Sequence, residues 1–120
     1  MYRILVVEDD VDLQYLYDLM LARQGYSVLG VENTTAAIER LSVEPFDLVI
    51  LDMNMPDMPG IGLLEYLRDN PPRRPLPVVV ISANELWERR VRDLGVDHFY
   101  VKPVSMDTFV TVVDRILNGV

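Results

Sequence analysis

Four places in this sequence carry polar residues directly after an apolar stretch. Glu8, Asp9 and Asp10 follow Ile4–Val7, Asp52 follows Leu48–Leu51, Ser82 follows Val78–Ile81, and Lys102 follows Phe99–Val101. Packed together, two or three carboxylates repel one another, so they must share protons or take up a hard cation. The chain has no cysteine, and its single histidine, His98, has no companions of ligand type. Oxygen ligands alone suit Mg²⁺ or Mn²⁺ rather than zinc. An ammonium across such a pocket adds positive charge, and a hydroxyl adds a donor. The set suits a phosphoryl group, with a carboxylate as its nucleophile.

That chemistry needs the four places to meet. Apolar stretches of strand length recur at 4–7, 28–31, 48–51, 78–81 and 99–101, mostly continuous and rich in Val, Ile and Leu. Strands buried on both faces read this way. Helical stripes lie between them: Leu13, Leu16, Leu19 and Met20; Ala37, Ile38 and Leu41; Leu63, Leu64 and Leu67; Trp87, Val91 and Leu94; Phe109, Val113, Ile116 and Leu117. Gly25 and Gly95 stand where helices end, Asn33 or Thr34 can cap the second helix, and Asn118-Gly119 closes the last. Pro71, Pro72, Pro75 and Pro77 hold the connection before the fourth strand open.

Strict β-α alternation, five times over, predicts an α/β fold with a parallel sheet and helices on both faces. Five strands suit the doubly wound, flavodoxin-like order 2-1-3-4-5, whose ligand sites lie beyond the carboxyl ends of the strands. Strands 1 and 3 are then neighbours, and all four polar places fall at one edge of the sheet.

Length and charge bound the remaining possibilities. The 120 residues fit one domain, taken as 1–120. Nineteen acids against eleven bases give a formal net charge of −8, which argues against nucleic acid and anionic membranes as partners. No apolar run reaches the ~18 residues of a membrane span, and no signal peptide opens the chain, so the expected location is cytoplasmic. Ten of the eleven bases are arginine; Lys102 is the only lysine.

Taken jointly, Ile4-Leu5-Val6-Val7-Glu8-Asp9-Asp10, Asp47-Leu48-Val49-Ile50-Leu51-Asp52-Met53-Asn54-Met55-Pro56 with Asp57-Met58-Pro59-Gly60, Ser82-Ala83 and Lys102-Pro103 resemble a response-regulator receiver domain over essentially the whole chain. The resemblance implies that Asp52 is the phospho-acceptor of a two-component phosphorelay. Glu8 and Asp9 would help hold Mg²⁺, with Asp52 and the backbone carbonyl of Asn54. Lys102 would contact the phosphoryl group and Asp52, Ser82 would donate to a phosphoryl oxygen, and Phe99 would be the aromatic switch of strand 5. The Lys102–Pro103 bond would be cis. Implied partners are a histidine kinase or histidine phosphotransfer protein, a downstream effector, and a second copy through helix 4, strand 5 and helix 5. The implied role is a switch rather than a turnover enzyme.

Plainer readings stand beside these. Asp10 and Asp12 suit the start of the first helix. Trp87 belongs to a packed stripe, and Arg73-Arg74 and Arg89-Arg90 read as solvated pairs. Haloacid-dehalogenase-like hydrolases also use an aspartyl phosphate, but carry a second acid two residues on; here that residue is Asn54, which cannot serve as general acid. Three features depart from the family pattern. The stretch from Ser82 to Lys102 is short by about one or two residues, so helix 4 or the loop before it is trimmed. Val104 stands where an aromatic usually follows Lys-Pro, and Phe99 lacks a tyrosine hydroxyl. No effector segment follows Val120, so the expectation is a stand-alone receiver or a piece of a longer regulator or hybrid kinase.

Overall fold

Each apolar stretch becomes a strand because its backbone groups, once buried, must pair. A computed structural model describes residues 1–55 and 58–119; Pro56 and Asp57 of the loop motif, and Val120, lie outside the described residues. The strands are β1 (Arg3–Val7), β2 (Ser27–Val31), β3 (Leu48–Leu51), β4 (Val78–Ser82) and β5 (His98–Val101). They form one parallel sheet in the order β2-β1-β3-β4-β5. This is the flavodoxin-like order expected from the alternation. β1 and β3 lie side by side, with Val7 level with Leu51, so Glu8 and Asp52 leave the sheet together.

The helices are α1 (Val11–Arg23), α2 (Thr34–Val43), α3 (Ile61–Asp69), α4 (Glu88–Asp93) and α5 (Met106–Asn118). Side chains of β1 alternate between two cores. Ile4 and Val6 join Tyr17 and Leu21 of α1 and Phe109 and Val113 of α5. Leu5 and Val7 join Ala37 of α2, Leu63 and Leu64 of α3 and Val91 of α4. Tyr17 stacks on Phe109 at 4.5 Å between ring centres, tying α1 to α5. Helices therefore cover both faces of the sheet.

Helix ends follow the predicted chemistry. Asp10 caps α1 by accepting from the N–H groups of Asp12 and Leu13, which is the plain reading of that acid. Asn33 caps α2 through the Ala36 N–H. Gly25 and Gly95 take positive φ just past α1 and α4, where a side chain would be strained.

Two expectations need correction. The buried face of α1 runs through Leu13, Tyr17 and Leu21, whereas Leu16 and Leu19 are 39% and 41% exposed. The segment is apolar nearly all round, so its Leu spacing alone could not choose the inward side; Tyr17 fits over Phe109 and wins. β2 is not buried on both faces either. It is an edge strand, its side chains are only half-buried and Gly30 is exposed. Before β5, Glu85–Trp87 form a 3₁₀ turn leading into an α4 of six residues, Glu88–Asp93.

Candidate phosphoryl-acceptor site

The carboxyl ends of β1, β3, β4 and β5 bring the predicted residues to one edge. Backbone bonds fix their starting points. The Glu8 N–H donates to the Val31 carbonyl, the Asp52 N–H to the Val7 carbonyl and the Lys102 N–H to the Ser82 carbonyl, all at 2.9–3.1 Å. Each polar residue thus begins at a pinned backbone position, at the last rung of the sheet.

Within the pocket, Lys102 Nζ donates to Glu8 Oε1 at 3.0 Å and to Asp52 Oδ2 at 3.2 Å. Glu8 and Asp52 are buried, and Lys102 is partly so. Asp9 is exposed, yet Glu8, Asp9 and Asp52 each place a carboxylate oxygen within 4.8 Å of the other two. One ammonium faces three carboxylates. Burial raises the pKa of Glu8 to about 7; the Lys102 hydrogen bond opposes that rise and the charge of Asp52 adds to it. Burial works against the charge of Lys102 as well, but its bond to Glu8 and the field of Asp52 hold its pKa above the ordinary value.

The three oxygens form an all-oxygen, anionic donor set with a solvent-facing member. That fits a hard divalent cation, which keeps water ligands and tolerates few protein ligands. The backbone N–H of Asn54 donates to Asp52 Oδ1 at 3.2 Å, so both oxygens of Asp52 are oriented. Asn54 itself is exposed.

Ser82 is fully buried. Its Oγ donates to the Asn84 carbonyl at 3.4 Å and accepts from the Asn84 N–H at 3.1 Å. The hydroxyl is therefore engaged with the loop after β4. Phe99 is already inside, packed in the core with Val80, Val91 and Val96. The Lys102–Pro103 peptide bond is cis. Trp87 is half-buried and lines a cavity of about 310 Å³ together with Asp9, Met53 and Asn54.

Three further residues shape the site without having been singled out in the sequence. Gln14 Nε2 donates to the carbonyls of Glu8 (3.0 Å) and Val31 (2.9 Å), clamping the ends of β1 and β2. Asn84 holds Ser82. Gly60 lets the loop after β3 return: a Cβ there would lie 2.6 Å from the Asp52 carbonyl oxygen. A signal existed only for Gly60, as the last residue of the quoted loop motif; glutamine inside a helix and asparagine in a loop are too common to stand out.

A doubly wound sheet with an aspartate, an acidic pair and a lysine at its carboxyl edge is the arrangement expected of a receiver-type signalling domain. Residues 4–114 match the response regulator receiver domain family, and the chain belongs to it. It is 34% identical over 116 residues to the sensor histidine kinase GacS of Pseudomonas protegens, covering 92% of this chain and 13% of that protein. It is 31% identical to the phosphate regulon transcriptional regulatory protein PhoB of Escherichia coli, covering 98% of this chain and 52% of PhoB. The chain therefore spans at most about half the length of these curated relatives. Among solved structures, the response regulator TrrA of Thermotoga maritima, in complex with Mg²⁺–BeF, superposes with a TM-score of 0.86 at 26% identity, covering 98% of this chain and all of that one.

Proposed function

We propose that this receiver domain is a Mg²⁺-dependent phospho-acceptor switch with Asp52 as its nucleophile. The observation that carries the reading is the bridge of Lys102 between Asp52 and Glu8, with Asp9 at the same point. Asp9, Asp52 and the Asn54 carbonyl would hold the ion directly, with Glu8 behind them. When bound, the ion would draw negative charge from the phosphoryl oxygens and relieve carboxylate repulsion.

The chain's own residues supply the remainder. An Asp52 oxygen attacks the phosphorus of a phosphohistidine on a kinase or phosphotransfer protein. A P–O bond forms, the P–N bond breaks, and the imidazole nitrogen leaves with its electron pair and takes up a proton. Lys102 then exchanges Glu8 for a phosphoryl oxygen, since the phosphoryl group brings stronger negative charge. Ser82 gives up its bond to the Asn84 carbonyl and donates to a second phosphoryl oxygen. That exchange pulls on the loop leading to α4 and shifts the population of the α4, β5 and α5 surface. Phe99 is buried at the outset, so its part would be to hold the inward arrangement. Water later attacks the phosphorus and inorganic phosphate leaves, which resets the switch.

Downstream, that surface would meet an effector or a second copy of the chain, in the cytoplasm. Acetyl phosphate with Mg²⁺ tests the reading. Intact mass should show one added phosphoryl group on wild type and none on Asp52→Asn. An unlabelled wild type, under conditions that label a control receiver, would overturn it. Trp87, beside Asp9 and Asn54, should change its fluorescence when beryllofluoride and Mg²⁺ are added.

A further inference from the structure

The other edge of the sheet holds a groove that the phosphoryl site does not use. It runs beneath the amino ends of β4 and β5 and encloses about 920 Å³. Its floor is apolar: Leu67, Leu76, Val96, Tyr100, Val112 and Ile116. Its rim is basic: Arg68, Arg73, Arg74 and Arg115 line it, and among the described residues Asp97 is the one carboxylate of the lining. In a chain of net charge −8 this is a local reversal of sign. Arg68 is engaged by Asp69 at 3.0 Å and Arg74 lies 3.8 Å from Asp47, but Arg73 and Arg115 make no ion pair among the described residues. Both are exposed.

We propose that this groove docks a short acidic segment of a protein partner, one that alternates carboxylates with bulky apolar side chains. Charge complementarity selects the sign of the occupant: two unpaired guanidinium forks are built for carboxylates. The floor selects its second feature, since half-buried Leu76, Tyr100, Val112 and Ile116 lose apolar exposure only when covered by apolar groups. Shape favours a peptide. Small-ligand sites bury most of their ligand, whereas this groove has exposed walls at Pro71, Pro72 and Pro75 and would leave a small molecule half wet. The four prolines between 71 and 77 fix φ along one wall. The groove is thus largely formed before its occupant arrives, which lowers the entropy cost of docking.

Position adds a functional consequence. Phosphoryl chemistry takes place at the carboxyl edge and the groove lies at the amino edge, so an occupant leaves Asp52 accessible.

The test uses the full chain, labelled with ¹⁵N, and a short synthetic peptide alternating Glu with Leu and Phe. A control peptide carries Lys in place of Glu. The acidic peptide should shift amides of 64–78, 94–98 and 112–116, equally in wild type and Asp52→Asn, while the Lys version leaves them unmoved. Arg73→Glu with Arg115→Glu should weaken binding by about tenfold or more and favour the Lys peptide. Both side chains are exposed and unpaired, so the fold should persist, as the unchanged remainder of the spectrum would show. Equal binding of both peptides, or no shift of the groove amides, overturns the proposal. Octanoate producing the same shifts at lower concentration would assign the groove to small amphiphiles instead. A dimer in sedimentation equilibrium that the double variant abolishes would assign it to a second copy of the chain.

Discussion

Lys102 Nζ lies 3.0 Å from Glu8 Oε1, across 94 positions of sequence, and slightly nearer to it than to Asp52 Oδ2 at 3.2 Å. The lysine is therefore shared in the resting site rather than reserved for the acceptor. Glu8 is both a neighbour of the cation site and the residue from which Lys102 must be drawn away. Sharing keeps two buried carboxylates tolerable with one ammonium between them, and it leaves Lys102 free to exchange partners within one pocket.

Removing that ammonium should be costly. Lys102→Ala leaves Glu8 and Asp52 buried without a counter-charge, which destabilises by roughly 2–4 kcal/mol in metal-free buffer. Added Mg²⁺ should recover much of this and still bind. Phosphorylated Asp52 in this variant should fail to move the amides of α4 and β5. Thermal unfolding with and without Mg²⁺ checks the first part, and amide shifts after labelling check the second.

Stability of the metal-stripped protein should depend on pH through Glu8. Its pKa is about 7 in the folded chain against an ordinary 4.5. Between those values the native state holds the extra proton, so unfolding becomes easier as pH rises from about 4.5 to about 7. The loss should be on the order of 1–3 kcal/mol. Glu8→Gln should flatten that part of the profile, as urea denaturation in EDTA at several pH values would show. A profile as steep as wild type would reject Glu8 as the source.

Two glycines offer a contrast in one loop-and-helix segment. A Cβ at Gly60 would meet the Asp52 carbonyl oxygen at 2.6 Å and the Met53 Cα at 3.0 Å, both backbone. Gly60→Ala should cost about 1–3 kcal/mol, by overpacking, and slow labelling of Asp52. A Cβ at Gly62 meets only Met58 Sδ within 3.4 Å, the flexible end of a side chain. Gly62→Ala in α3 should be neutral or gain up to about 1 kcal/mol. Denaturation midpoints and acetyl-phosphate labelling rates separate the two.

The corrected face of α1 gives a direct comparison. Leu21→Ala empties a fully buried position and should cost about 2–5 kcal/mol. Leu16→Gln and Leu19→Gln should change stability by less than about 0.5 kcal/mol. Equal losses at Leu19 and Leu21 would restore the orientation inferred from leucine spacing.

How far the sequence could be followed depends on whether a feature is local or assembled. Strands β1, β3 and β4 are continuous apolar runs, and their order follows from alternation and handedness. The acidic pocket was legible because Glu8, Asp52, Ser82 and Lys102 each stand one step beyond an apolar run, with Asp9 next after Glu8. The inward side of α1 was not, because Leu16, Tyr17, Leu19 and Leu21 are all apolar and only Phe109, from the far end of the chain, decides among them. Gln14 was missed for the same reason: its two acceptors belong to β1 and β2. Arg73-Arg74 read as a solvated pair, and both are exposed; what the sequence hid was that Val112 and Ile116 of α5 line the same groove.

Parallel strands have one more effect. Because every strand points the same way, the acidic trio and the arginine rim end up at opposite poles, separated by roughly the 15 Å that a short strand spans. The two clusters are therefore of opposite local sign at opposite ends of the sheet: a cationic group is drawn to one and an anionic group to the other, each less strongly as salt is added.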